Sequence, residues 1–160
     1  MENSYILKAR GRQFSELYLC FCGYQECAPG YAFGPAVRSN YVIHYILKGK
    51  GIYRAEGASY TLEAGQGFLI RPDVQTFYQA DEADPWSYLW IGFDGSRTAE
   101  YLAGLGLGEN QLTYRSSKGN QLYRIVRDML KHNTYTTANQ FMLESLLYAF
   151  FSALSEDLDV

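Results

Sequence analysis

The segment "PWSYLWIGF", residues 85–93, holds five ring-bearing residues in nine positions, counting the proline, and no charge. In a β-strand, alternate side chains point to opposite faces, so Trp86, Tyr88 and Trp90 would share one face. The other face would carry Ser87, Leu89, Ile91 and Phe93. Both faces are largely apolar. The pattern therefore indicates a strand that is buried on both sides, or one whose second face lines a cavity.

Composition indicates one globular domain with an aromatic bias. Of the 160 residues, 48% are hydrophobic and 19% are charged, which is typical of a chain with a packed core. The 15 tyrosines suit a surface that binds polar rings, although β-sheets also favour tyrosine. The net charge of −3 argues against nucleic-acid binding by this chain itself. Without a signal peptide or a membrane-length apolar run, we expect a cytoplasmic protein that does not contact membranes.

The three cysteines lie close together in "CFCGYQEC", at Cys20, Cys22 and Cys27. An odd number in a small cytosolic chain argues against a disulfide framework. The C-x-C-x4-C spacing differs from the usual zinc pattern, and a closed zinc site needs four ligands. We therefore expect reduced thiols packed in a strand, and no bound metal.

The chain changes character near residue 95. Before it, short β-type runs such as Tyr41–Lys48 alternate with turn signals, which predicts a sandwich or barrel. After it, apolar residues recur at helical spacing in two successive stretches. These are Leu122, Ile125, Val126, Met129 and Leu130, followed by Leu143, Leu146, Leu147, Phe150, Phe151 and Leu154. The sequence therefore predicts a mainly β fold followed by C-terminal helices.

An ordered set of motifs runs through the β-rich part. It comprises "HYILKGKG", "AGQGFLIRP" and "YQADEADPWSYLW". Together they resemble the N-terminal effector-binding domain of AraC-family transcriptional regulators, over about residues 19–108. The resemblance implies a cupin-type jelly-roll β-barrel with a small-molecule pocket inside it and antiparallel α-helices after it. It also implies a bacterial, sugar-responsive regulator that works as a dimer.

Three segments are expected from this resemblance. Residues 1–15 would be an N-terminal arm, residues 16–95 the effector-binding barrel, and residues 96–160 a helical dimerisation segment of the same domain. The helix-turn-helix DNA-binding domain of the family is absent from the chain, which stops at "SEDLDV". We therefore expect the regulatory half of a longer protein, with DNA bound only through the missing part. The homodimer interface is expected at Leu143, Leu147, Phe150, Phe151 and Leu154; the alternative is that this stripe packs against the barrel of its own chain.

The resemblance also implies a set of ligand-binding residues. In the family's arabinose-responsive member, a pocket tyrosine follows a turn, and Tyr78 occupies that place. A histidine and a tryptophan two residues apart become Tyr88 and Trp90 here, which keeps a ring that can stack on a sugar. Gln25 stands near the place of a pocket threonine. Arg38 lies four residues beyond the place of the family's arginine and could supply the same donors.

Two further residues have competing interpretations. Trp86 could contact the ligand, but it could also fill the interior of a small barrel, as could Tyr88 and Trp90. His44 shares strand parity with two aliphatic residues, Val42 and Ile46, which favours a core histidine over a ligand contact.

We expect the ligand to be a mono- or oligosaccharide. The alternative is a filled barrel that serves as a scaffold for dimerisation or protein docking.

Catalysis is not expected. Metal-dependent cupin enzymes need two or three histidines and a carboxylate, and the β-rich part holds His44 alone. The chain also lacks a nucleophile elbow, a phosphate-binding loop and a plausible cysteine–histidine pair. We therefore expect a binding domain without a cofactor rather than an enzyme.

Overall fold

The computed structural model describes residues 4–9 and 13–158, which form two antiparallel β-sheets and three helices. The larger sheet contains β1 (Ser4–Lys8), β2 (Tyr18–Glu26), β4 (Tyr41–Lys48), β7 (Gln66–Ile70), β9 (Ser87–Asp94) and β10 (Thr113–Arg115). The smaller sheet contains β3 (Ala32–Val37), β5 (Lys50–Ala55), β6 (Ala58–Glu63) and β8 (Gln75–Ala80). Their spatial orders are β1-β2-β9-β4-β7-β10 and β3-β8-β5-β6.

This arrangement is a cupin-type jelly-roll barrel followed by helices, as the sequence predicted. The helices are α1 (Thr98–Gly104), α2 (Gly119–Lys131) and α3 (Thr137–Leu158). The helices α2 and α3 pack on each other and against β2 of the larger sheet. No helix in the described part of the chain is long and apolar enough to cross a membrane.

Two strands lie outside the barrel boundaries expected from the sequence. The strand β1 belongs to the expected N-terminal arm, yet it pairs with β2 at the edge of the larger sheet. Residues 1–3 and 10–12 of that arm lie outside the described residues. The short strand β10 comes from the expected helical segment and pairs with β7 at the opposite edge.

Strand β9 is buried on both faces, and one of these faces lines a cavity. One face carries Tyr88 and Trp90 into the barrel. The other face carries Leu89, Ile91 and Phe93, which are fully buried. The Phe93 ring meets Phe151 of α3 edge-on, with 5.2 Å between ring centroids. The helices therefore cover the outer side of the strand, while a cavity lies on its inner side.

Tyrosine hydroxyls tie distant segments together, which accounts for part of the tyrosine content. Tyr53 of the smaller sheet donates to the Leu69 carbonyl oxygen of the larger sheet at 2.7 Å. Tyr114 donates to the His44 carbonyl oxygen, also at 2.7 Å. All these groups are buried, where an unpaired hydroxyl or carbonyl would cost free energy. The bonds therefore join the two sheets and hold β10 against β4.

The apolar stripe of α3 forms part of the chain's own core. Leu143, Leu147, Phe150, Phe151 and Leu154 are all buried within the single chain. Because at most 8% of each of these residues is exposed, the stripe packs mainly within the chain, and the expected dimer interface at these five residues needs correction. The opposite face of α3 is more accessible, since Phe141 is 59% exposed and Tyr148 is 43% exposed.

Candidate ligand-binding site

A partly open cavity of about 390 Å³ lies between the two sheets, and we call it the barrel cavity. Its size falls within the range of about 300–1,000 Å³ that is typical of small-molecule sites. Six of the residues expected to bind ligand line it together: Gln25, Arg38, His44, Tyr78, Tyr88 and Trp90. The barrel interior is therefore hollow at this end.

The His44 ring lies at the centre of an aromatic wall. It stacks on Phe68 with 4.5 Å between ring centroids and 7° between planes. Tyr78 and Tyr88 meet it edge-on, at 4.8 and 4.9 Å between centroids. Trp90 lies 6.0 Å away. Contacts on several sides fix the orientation of the imidazole, so its nitrogen atoms have defined directions.

His44 is neutral at physiological pH. Its side chain is 2% exposed, and burial together with the positive charge of Arg38 lowers its pKa well below the usual value. Its Nδ1 atom has no hydrogen-bond partner among the described residues. A neutral imidazole has one donor and one acceptor nitrogen. The buried, unpaired Nδ1 atom can therefore donate or accept a hydrogen bond, depending on the tautomer.

Arg38 is held in place by rings. Its guanidinium carbon lies 4.6 Å from the centre of the Phe33 ring and 5.5 Å from that of Phe21. Its Nε atom is buried and lacks a hydrogen-bond partner in the described structure. Burial raises the pKa of Tyr78 to about 12, and the nearby Arg38 charge opposes this rise. Since no carboxylate is among the described lining residues, the cavity presents donors and ring faces.

The Trp90 indole lies across Gly23 of the neighbouring strand. The two residues are paired in the register of β2 and β9. A Cβ atom added to Gly23 would lie 2.2 Å from Cζ2 of Trp90, far closer than van der Waals contact. Glycine at this position therefore lets the indole lie flat against β2 while it lines the cavity. Sequence analysis did not identify Gly23 as a residue of the site.

Trp86 does not line the cavity. It is fully buried, and its ring lies 5.9 Å from Phe68 and 5.7 Å from Tyr88. These contacts make it part of the packed barrel interior next to the aromatic wall. Trp86 therefore occupies the position of a core tryptophan, which was the alternative interpretation. We remove it from the set of candidate ligand contacts.

Five lining residues were missed by the sequence analysis: Ile6, Lys8, Phe21, Tyr31 and Phe33. Strand parity could have found Phe21, because it lies four residues before Gln25 on β2. Ile6 and Lys8 could not have been found this way, since they reach the cavity through the pairing of β1 with β2.

Within the described ranges, no group of three histidine, cysteine, aspartate or glutamate side chains could hold a metal.

Comparison with known proteins identifies the family. The model of the AraC-like ligand binding domain matches residues 19–151. The chain belongs to this family. It is 40% identical over 138 residues to the Msm operon regulatory protein of Streptococcus mutans, covering 84% of this chain and 49% of that protein. It is 34% identical over 140 residues to the raffinose operon transcriptional regulatory protein RafR of Pediococcus pentosaceus, covering 85% and 50%.

The AraC-family chain thus spans about half the length of these curated relatives, which are named as regulators rather than enzymes. Among solved structures, the protein YhaK from Escherichia coli superposes with a TM-score of 0.54 at 21% identity. The match covers 70% of this chain and 49% of YhaK, and it concerns the fold alone. The family membership expected from the sequence motifs is confirmed.

Gly23→Ala should displace the Trp90 indole, because the added methyl group would overlap it. We expect a changed tryptophan emission spectrum with an unchanged far-ultraviolet circular dichroism spectrum. Gly104→Ala is the matched control, since a Cβ atom at Gly104 meets nothing within 4 Å. Identical emission spectra for Gly23→Ala and the unmodified protein would contradict the described contact.

Burial of neutral His44 should make the protein less stable in mild acid. Its pKa is lower in the folded than in the unfolded chain, so the unfolded chain binds more protons below pH 6.5 or so. The free energy of unfolding should therefore decrease as the pH falls below about 6.5, by at most about 1.4 kcal/mol per pH unit for this group. We expect His44→Gln to reduce that slope in urea unfolding measured between about pH 7 and pH 5. The same dependence of unfolding free energy on pH in His44→Gln as in the unmodified chain would contradict the lowered pKa of His44. His132→Gln is the control for the loss of a histidine.

Proposed function

We propose that this chain is the effector-sensing domain of a bacterial transcription regulator, and that the effector is a saccharide bound in the barrel cavity. The observation that carries the proposal is the combination of unpaired donors with aromatic faces around one hollow space. His44 and Arg38, each with one buried nitrogen atom that lacks a partner, line the cavity, and Trp90 forms part of its wall. The relationship to a regulator of a raffinose operon supports a sugar as the ligand.

Saccharides match this wall chemically. The apolar C–H face of a sugar ring can stack on Trp90, because an indole offers a large flat apolar surface. The hydroxyl groups can pair with Arg38, His44 and the amide of Gln25, with the phenols of Tyr78 and Tyr88 beside them. A sugar that lacks one of these hydroxyls would leave a buried polar group unpaired. Such a loss allows strong discrimination between similar sugars.

Signalling would require that the ligand favour one arrangement of the chain over another. The strand β1 is a suitable responsive element, because Ile6 and Lys8 contact the cavity from the edge of the sheet. In a full-length regulator, the altered arrangement would reorient the DNA-binding parts on the operator. DNA binding would then reside outside this acidic chain, and this role requires a cytoplasmic location.

Dimerisation would use the exposed face of α3. Phe141, Ser145, Tyr148 and Ser152 follow helical spacing along that face, and none of them is charged. Exposed aromatic side chains in such a row are typical of a helix that packs against a partner. A second copy of the same face would form an isologous interface with twofold symmetry.

Two substitutions in the barrel cavity should each weaken saccharide binding. In isothermal titration with raffinose and other oligosaccharides, we expect Trp90→Ala and Arg38→Gln each to weaken affinity by about tenfold or more. This matches roughly 1.4 kcal/mol or more for a lost stacking surface or charged hydrogen bond. Arg54→Gln is the matched control, because Arg54 also lies over a phenylalanine ring but does not line this cavity. If Trp90→Ala and Arg38→Gln bound the saccharide as tightly as Arg54→Gln and the unmodified chain, the assignment of the site would be refuted.

A charge on the exposed face of α3 should separate the dimer. We expect Tyr148→Arg to sediment as a monomer at concentrations where the unmodified chain sediments as a dimer, because two arginines would meet near the symmetry axis. Gln121→Arg adds the same charge to an exposed position of α2 and should leave the dimer intact. A monomeric unmodified chain at high protein concentration would contradict this part of the proposal.

A further inference from the structure

A second cavity lies on the opposite side of β1 from the barrel cavity, and we call it the tyrosine groove. Its volume is about 400 Å³. The described residues that line it are Tyr5, Tyr24, Tyr123, Arg127, Leu130 and Lys131. Because side chains alternate along a strand, Tyr5 faces this groove while Ile6 and Lys8 reach the barrel cavity. The two cavities are therefore separate sites that share one strand as a wall.

Three phenol rings form the floor of the tyrosine groove. Tyr5 stacks on Tyr24 with 6.1 Å between centroids, and Tyr123 meets Tyr24 edge-on at 5.5 Å. The Tyr24 hydroxyl donates to Glu26 at 2.8 Å, which fixes the central ring. In the described structure, the hydroxyls of Tyr5 and Tyr123 make no hydrogen bond. The groove thus offers ring faces and two phenol hydroxyls to a ligand.

Positive charge lies along one side of the groove. The Arg127 guanidinium carbon is 5.6 Å from the centre of the Tyr123 ring, and Arg127 pairs with no carboxylate among the described residues. Lys131 lies one helical turn further on and is 4.0 Å from a carboxylate oxygen of Asp128. Lys131 is also at the negative end of the helix dipole, so Arg127 is the stronger partner for an anion.

We propose that the tyrosine groove binds a phosphorylated sugar. The sugar ring would lie on the phenol faces and pair with the hydroxyls of Tyr5 and Tyr123. The phosphate would pair with Arg127, whose planar fork of donors matches phosphate oxygens, and with Lys131 beside it. The choice of a sugar ring rests on the proposed function, whereas the anionic group follows from the cations at the groove.

Isothermal titration of the chain with glucose 6-phosphate tests this site, with glucose, inorganic phosphate and 4-hydroxybenzoate as comparison ligands. We expect glucose 6-phosphate to bind more tightly than each of the other three. Arg127→Gln should weaken that binding by about tenfold or more, the loss expected for a hydrogen bond to a charged group. Arg124→Gln is the matched control, because Arg124 is exposed on the same helix but does not line the groove.

Several outcomes would overturn the proposal. These are no binding of glucose 6-phosphate at millimolar concentration, unchanged binding in Arg127→Gln, or equal or tighter binding of a comparison ligand. Trp90→Ala separates the two sites. Retained glucose 6-phosphate binding in that variant supports the tyrosine groove, even where oligosaccharide binding is absent or lost. Loss of glucose 6-phosphate binding in Trp90→Ala would assign it to the barrel cavity and overturn the proposal.

Discussion

The pairing of β9 with β2 on one side and β4 on the other is the constraint on which the barrel cavity depends. This register sets Trp90 beside both Gly23 and His44, and Tyr88 beside Gln25. A slip of one residue would turn Tyr88 and Trp90 toward the helices and bring Leu89 and Ile91 into the cavity. Since both faces of β9 are buried, such a slip would disrupt the core and the candidate site together.

The polar groups of the barrel cavity are held by packing rather than by ion pairs. His44 is clamped by Phe68 and the edges of neighbouring tyrosines, and Arg38 lies over two phenylalanine rings. No carboxylate is among the described lining residues, and a side-chain hydrogen bond joins Arg38 to Tyr78. A ligand rich in hydroxyl groups can accept hydrogen bonds from the Arg38 guanidinium and pair with the His44 imidazole, while it adds no further charge to the cavity. Recognition by hydroxyls and ring faces is therefore consistent with how the site is built.

The family resemblance carried by the ordered motifs implied the jelly-roll barrel and six of the residues that line the cavity, whereas strand alternation supplied only the shared face of Trp86, Tyr88 and Trp90. They could not predict the role of Gly23, which depends on the register between β2 and β9, or the positions of Ile6 and Lys8, which depend on the pairing of β1 with β2. Strand alternation placed Trp86 on the same face as Tyr88 and Trp90. It could not show how far each side chain lies from the open end of the barrel, so the packing of Trp86 against Phe68 was not apparent from the sequence. Helical spacing likewise identified the apolar stripe of α3 correctly. Spacing alone could not show that this chain's own core, rather than a second copy, covers that stripe.

The most direct test of the account is the melting temperature of this chain against a panel of mono- and oligosaccharides, followed by tryptophan emission. A ligand at a hundred times its dissociation constant should stabilise the fold by about 2.7 kcal/mol, which corresponds to several degrees for a domain of this size. We predict such a shift with one class of saccharide, together with a change in emission as Trp90 becomes covered. The absence of any shift across the panel would contradict a saccharide effector.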